Sequence, residues 1–265
     1  SVAVAGLAPA QVWIDNGVPG DGRWAALIYD GGYSSEAVID PLGPTFGPSD
    51  VVYELIPYVD PGIDGGALAL VGSTIVTPAY LSAPNQVTSA GSFAGPNGLI
   101  QWTAVSSIQA GSTRLNTAIT FTSQSQLGAV RVIYYLDEDV LGNMDDELIV
   151  LGTPGAADFE LLTLDVAQGV GVTQSAGYFT ATNASYKGWA ADKYSDLLAL
   201  IGGTGAAFSV AGVVDTTSLP PTHDNRYSGR PAYGPADVTT AIAFDLAPAA
   251  YQASLNLALG GRAEE

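Results

Sequence analysis

The chain has 265 residues, 26 of them acidic and 8 basic, a formal net charge of −18 and no cysteine. Charged residues make up only 13 % of it, against roughly 25 % in a typical soluble protein, so the acidity reflects missing bases. Without clustered Lys and Arg there is no electrostatic footprint for nucleic acid or anionic lipid, and without cysteine there is no disulfide, thiolate zinc site or cysteine nucleophile.

Period-two alternation and β-branched or aromatic runs dominate from end to end. In chain order they predict strands at 11–14, 23–30, 49–58 and 66–72, then at 98–110, 112–123 and 127–137. Further strands are predicted at 147–152, 158–165, 207–214, 237–246 and 251–259. The 32 glycines and 16 prolines fall mostly between them, as many short strands with tight turns require. The three runs between 98 and 137 read as an antiparallel meander. One helix is predicted, near 188–201, from Trp189, Tyr194, Leu197, Leu198 and Ile201 at three- and four-residue spacing, with Gly202-Gly203 as its stop. The fold class expected is therefore all-β, a large antiparallel β-sandwich with one short helix. We read residues 1–265 as one domain, with a possible internal joint at SAGSFAGPNG (89–98). No apolar run approaches the ~18 residues that a membrane-spanning helix needs.

The densest chemistry lies in YYLDEDVLGNMDDELIV, residues 134–150, where an apolar strand meets six carboxylates in eleven positions and then turns apolar again. Calcium takes six to eight oxygen ligands at loose geometry. A hairpin with Asp137 and Asp139 on one arm and Asp145, Asp146 and Glu147 on the other would gather such oxygens, Asn143 adding an amide oxygen at the turn. The run is not a helix–loop–helix calcium loop, because Leu148 stands where that loop carries its twelfth-position Glu. Three readings stay open: a calcium site, a solvated acidic tip that blocks edge aggregation, and a catalytic carboxylate pair.

His223 is the only histidine and sits in a loop with Arg226, Tyr227, Arg230 and Tyr233. That set would suit proton abstraction beside a sugar carboxylate, which an Arg would neutralise, although a lone loop histidine is ordinarily an exposed surface residue. There is no Gly-x-Ser-x-Gly elbow for a Ser-His-Asp triad. Trp24 is in phase with Ala26 and Ile28 and is read as core, whereas Tyr29, Tyr33, Tyr227 and Tyr233 are the candidates for a sugar-stacking platform.

The stretches AVRVIYYLDEDVLG, DDELIVLGTPGAADFELLTLD and YKGWAADKYSDL resemble β-sandwich modules of large secreted cyanobacterial and marine bacterial proteins that carry calcium-binding repeats. The resemblance covers about a third of the chain, from Leu99 to Gly188. It implies an extracellular setting and a structural or adhesive role. The glycine-aspartate nonapeptide repeats of those proteins are missing here, so no site residue is carried over.

Together these observations lead us to expect a non-enzymatic, calcium-stabilised protein, secreted or at the bacterial cell surface. Its partners would be copies of itself, an extracellular matrix or a polysaccharide, since a surface of Ala, Gly, Ser, Thr and Tyr is cheap to desolvate. The alternatives are a lyase-type polysaccharide-active enzyme, for which His223, Arg226 and Tyr227 are the residues to test, and a glycan-binding module.

Overall fold

The computed structural model describes residues 10–18, 23–39, 50–63, 66–140, 146–156, 158–165, 170–175, 180–203, 208–222 and 229–263. The strands are β1 (Val12–Asp15), β2 (Ala25–Ile28), β3 (Ser34–Ile39), β4 (Asp50–Asp60), β5 (Leu68–Ala69), β6 (Thr74–Ala83), β7 (Gln86–Gly95), β8 (Gly98–Ile108), β9 (Arg114–Ser123) and β10 (Arg131–Asp137). They continue as β11 (Asp146–Leu151), β12 (Glu160–Asp165), β13 (Val170–Ser175), β14 (Thr180–Thr182), β15 (Ala184–Asp192), β16 (Val213–Val214), β17 (Pro221–Thr222), β18 (Ala232–Ala236), β19 (Thr239–Leu246) and β20 (Gln252–Ala263). Among the described residues a single α-helix, α1 (Tyr194–Gly202), lies between β15 and β16.

Two sheets form the expected all-β sandwich. The first runs β1-β2-β3-β4-β10-β19-β15-β16, with β5 beside β4; the second runs β17-β18-β11-β12-β13-β20-β9-β8-β7-β6, with β14 beside β20. Between them lies the main core. Leu55, Val132, Tyr134, Leu136 and Ile242 of the first sheet meet Trp102, Ile119, Phe121, Leu161 and Leu257 of the second. The first sheet also buries its outer face, where Ile56, Ile133, Tyr135, Ala190 and Ala241 pack against Leu197 and Ile201 of α1. This explains why β10 reads VIYYL without alternation: Val132, Tyr134 and Leu136 point into the sandwich, and Ile133 and Tyr135 point under the helix.

The structure corrects three expectations. First, the meander predicted over 98–137 divides. β8 and β9 pair as predicted, but β10 crosses to the other sheet and pairs with β4 and β19. Second, the helix begins later than predicted, because Gly188–Asp192 belongs to β15 and α1 starts only at Tyr194. Trp189 and Ala191 face the sandwich core while Ala190 faces α1, and this two-sided burial imitates helical spacing. Third, residues 89–98 are not the loop that their composition suggested: all but the last three belong to β7, between β6 and β8. The small residues there make room for large neighbours. A Cβ on Gly91 would collide with the Trp102 ring, which is 1 % exposed and donates to Ser73 Oγ at 2.8 Å.

Candidate functional site

The site is built where β10 ends. Asp137 is the last residue of that strand, opposite Glu54 of β4 and Thr239 of β19. Strand alternation puts it on the side of Ile133 and Tyr135, the face under α1. The carboxylates of Asp137, Asp139 and Asp237 there offer ligand oxygens within 4.8 Å of one another, Asp137 buried and the other two half-buried. Asp137 is 3 % exposed, and its Oδ1 has no hydrogen-bond partner among the described residues. Burial raises its pKa to about 8, with further contributions from the charges of Asp139, Asp237 and Glu54. Asp139 and Asp237 are raised as well, by burial first; Lys193, just before α1, acts in the opposite sense on Asp237. All the donors are carboxylate oxygens, the set that suits a hard cation such as calcium or magnesium. This acidic group could hold a metal ion.

Glu54 borders the same patch. Its Oε1 accepts from the Tyr33 hydroxyl at 3.3 Å and its Oε2 from the Tyr194 hydroxyl at 3.5 Å, while burial raises its pKa. The ring of Tyr29 stands 5.1 Å from that of Tyr33, and Tyr58 meets Tyr135 edge-on at 6.3 Å. The Tyr135 hydroxyl is buried without a hydrogen-bond partner among the described residues.

Glu138, one residue beyond Asp137, turns to the interior. Its Oε1 accepts from Thr163 Oγ1 at 3.0 Å and from Thr240 Oγ1 at 2.7 Å, so it ties β12 of one sheet to β19 of the other. Asp146 lies on this inner side as well, fully buried, with Oδ2 accepting from the Val140 N–H at 3.1 Å.

The hairpin inferred from the sequence is not formed, because β10 and β11 lie in different sheets. The structure brings Asp137 and Asp139 together as expected, but their partner is Asp237, which the sequence reading missed. Asp146 and Glu147 are not in that group among the described residues; Glu147 sits on β11 opposite Leu164. Asn143 and Asp145 lie outside the described residues, as do His223, Arg226 and Tyr227. Of the tyrosines proposed as a platform, Tyr29 and Tyr33 flank the patch and Tyr233 packs against the main core. Glu54 carried a readable signal: it is in phase with Ile56 and Tyr58, a lone carboxylate on an apolar face. Asp237 carried none, since only the pairing of β10 with β19 brings it near.

Elsewhere, a depression of about 610 Å³ near the start of β10 is lined by the Arg131–Asp245 ion pair (2.7 Å), Asp60 and Asn183. No helix among the described residues is long and apolar enough to cross a membrane.

No protein-family model and no curated protein matches the chain. Among solved structures it is similar to a bacterial glucoamylase complexed with acarbose, at a TM-score of 0.52 and 9 % identity, over 98 % of this chain and 34 % of that one. At this identity the likeness concerns the fold alone, and the chain spans about a third of that protein's length. Fold and site together define an all-β sandwich with a carboxylate group able to hold a metal ion.

Proposed function

We propose that this chain is a non-catalytic, exported β-sandwich module with a structural or adhesive role, stabilised by one calcium ion held by Asp137, Asp139 and Asp237. The observation that carries the calcium reading is the carboxylate group itself. Three like charges within 4.8 Å repel, and Asp137 adds a desolvated oxygen that lacks a donor. A divalent cation relieves both penalties at once, and the half-buried Asp139 and Asp237 leave it a route in. Calcium suits the site better than magnesium, which demands a tight octahedral shell and gives up its waters reluctantly.

The outer face of β7, β8 and β9 supports the structural role. It presents Gln86, Thr88, Ala90, Gln101, Thr103, Val105, Asn116, Thr120 and Thr122, with Arg114 at its margin as the charge. Next to it, β6 forms the edge of the sheet among the described residues, carries no charged residue and exposes Val76, Tyr80 and Leu81. Natural edge strands are commonly blunted by lysines or other charges. This one has Pro78 and register irregularities against β7 but no charge, and its exposed apolar side chains favour joining to a second copy or to a matrix.

The test is thermal unfolding in calcium and in chelator. Calcium should raise the melting temperature reversibly and magnesium should substitute poorly. A curve indifferent to both ions would return the patch to an ordinary acidic surface.

A further inference from the structure

We infer that the carboxylate patch is a sugar-binding site, in which the cation bridges the protein to adjacent hydroxyls of a neutral hexose and the surrounding tyrosines form its walls. The inference rests on the calcium reading and extends it to a ligand class.

Two observations beyond the acidic group point to a ligand. Asp137, 3 % exposed, keeps one oxygen without a donor, and the Tyr135 hydroxyl on the same strand face is buried without a partner. Asp137 belongs to the acidic group, and Tyr135 lies two residues before it on the same face of β10, edge-on against Tyr58. The walls of the patch are aromatic: Tyr33 and Tyr194 reach Glu54 from two elements, and Tyr29 lies against Tyr33 at 5.1 Å. Tyr29, Tyr33 and Tyr194 are each half-buried, with part of their surface still available. A few convergent polar groups framed by aromatic faces are what a sugar needs: apolar C–H surface stacks on the rings and hydroxyls meet the polar groups.

Coordination number supplies the link. Calcium takes six to eight oxygens, more than three carboxylates provide, so part of its shell must come from water or a ligand. Two neighbouring sugar hydroxyls would replace two waters without changing the kind of donor atom. Glu54, held between two tyrosine hydroxyls, is placed to accept from a third hydroxyl of the sugar or to complete the metal shell.

Charge decides the class of sugar. Four carboxylates make up the patch, and among the described residues the positive side chain acting there is Lys193. One divalent ion leaves the described groups of the site negative or neutral, in a chain of net charge −18, so they add no attraction for uronates or sulfated sugars beyond the ion itself. A neutral hexose needs no such attraction.

The experiment is calorimetric titration of the full chain with maltotriose and with cellotriose, in calcium and in chelator. Calcium binding is followed on the same samples by tyrosine-sensitised terbium luminescence and its displacement by calcium. The expected result is binding of a neutral trisaccharide in calcium, weakened at least tenfold in chelator. Asp137→Asn should lose both ion and sugar, whereas Tyr29→Ala should keep the ion and lose at least tenfold in sugar affinity. Tyr33→Phe, which keeps the ring, should bind sugar more tightly than Tyr33→Ala. Calcium binding with neither trisaccharide bound overturns the sugar site and leaves the calcium reading standing. Absence of calcium binding in the parent overturns both. Equal sugar binding in calcium and chelator overturns the bridging role of the ion.

Discussion

Asp137 and Glu138 are neighbours in the chain and opposites in environment. Both are nearly inaccessible to solvent, and burial raises the pKa of both. Glu138 points into the sandwich and finds two threonine hydroxyls, one from each sheet, which donate to a single oxygen. Asp137 points under α1 and finds other carboxylates. The contrast separates two ways of keeping a buried acid. Each keeps one buried oxygen without a hydrogen-bond partner among the described residues, Oε2 of Glu138 and Oδ1 of Asp137. What separates them is that Glu138 is tied between layers by hydroxyl donors, whereas Asp137 stands among half-buried carboxylates where an ion from outside can meet the deficit.

The largest effect should come from breaking the inner tie. Glu138→Ala leaves the hydroxyls of Thr163 and Thr240 buried without their acceptor, at about 1–3 kcal/mol for each group so stranded. We expect a loss of roughly 3 kcal/mol, or on the order of 10 °C in melting temperature, whether or not calcium is present. Glu138→Gln keeps the accepting oxygen and should stay close to the parent. Equal losses in the two variants, measured by calorimetry, would show that charge rather than the acceptor holds the sheets.

The outer carboxylate should behave in the opposite way. Calcium at a hundred times its dissociation constant stabilises the parent by about 2.7 kcal/mol, a rise on the order of 5–10 °C for a chain this long. Asp137→Asn should abolish that rise and, in chelator, be at least as stable as the parent, because it removes the cost of protonating or burying that carboxylate. Destabilisation of Asp137→Asn in chelator would mean that Asp137 has a partner in the ion-free protein.

Proton linkage sharpens the same contrast. In chelator the Asp137 carboxyl titrates at about 8 in the folded chain, against the ordinary 3.8. Between those values the folded state holds a proton that the unfolded state has released, so stability falls as pH rises through that window. The melting temperature in chelator should therefore decline from pH 5 to pH 8, and saturating calcium should make the decline shallower because the ion displaces the Asp137 proton, while the buried Glu138, also raised, keeps its own share of it. A decline as steep in calcium would uncouple the proton from the ion.

The smallest effect concerns assembly. Leu81→Lys on β6 should leave the unfolding free energy within about 0.5 kcal/mol of the parent, yet reduce any association seen by light scattering at micromolar concentration. A parent that is monomeric across salt and calcium would remove β6 as a joining edge.

How much of this was legible in the sequence follows from what each pattern encodes. The continuous apolar run in VIYYL and the alternation in GLIQWTAVSSI and in the last two strands are local, and they marked a sandwich and most of its long strands. β6 and β7 were missed because one carries Pro78, tolerated at a sheet edge, and the other carries the glycines that Trp102 and Ile100 require as neighbours. The acidic run was found, but its geometry was misjudged. Six carboxylates close in sequence suggested one hairpin, whereas the chain crosses between sheets there and sends Asp137 and Glu138 to different faces. Asp237 is 100 residues from Asp137 and joins it only through the pairing of β10 with β19. Non-local pairing of this kind leaves no trace in a spacing pattern.

The central claim is that one ion belongs to the outer carboxylates, and direct binding tests it most simply. Equilibrium dialysis with radiolabelled calcium should find one ion per chain in the parent and none in the Asp137→Asn, Asp139→Asn double variant, with Glu138→Gln retaining it. Undiminished binding in the double variant, or none in the parent, would contradict the account.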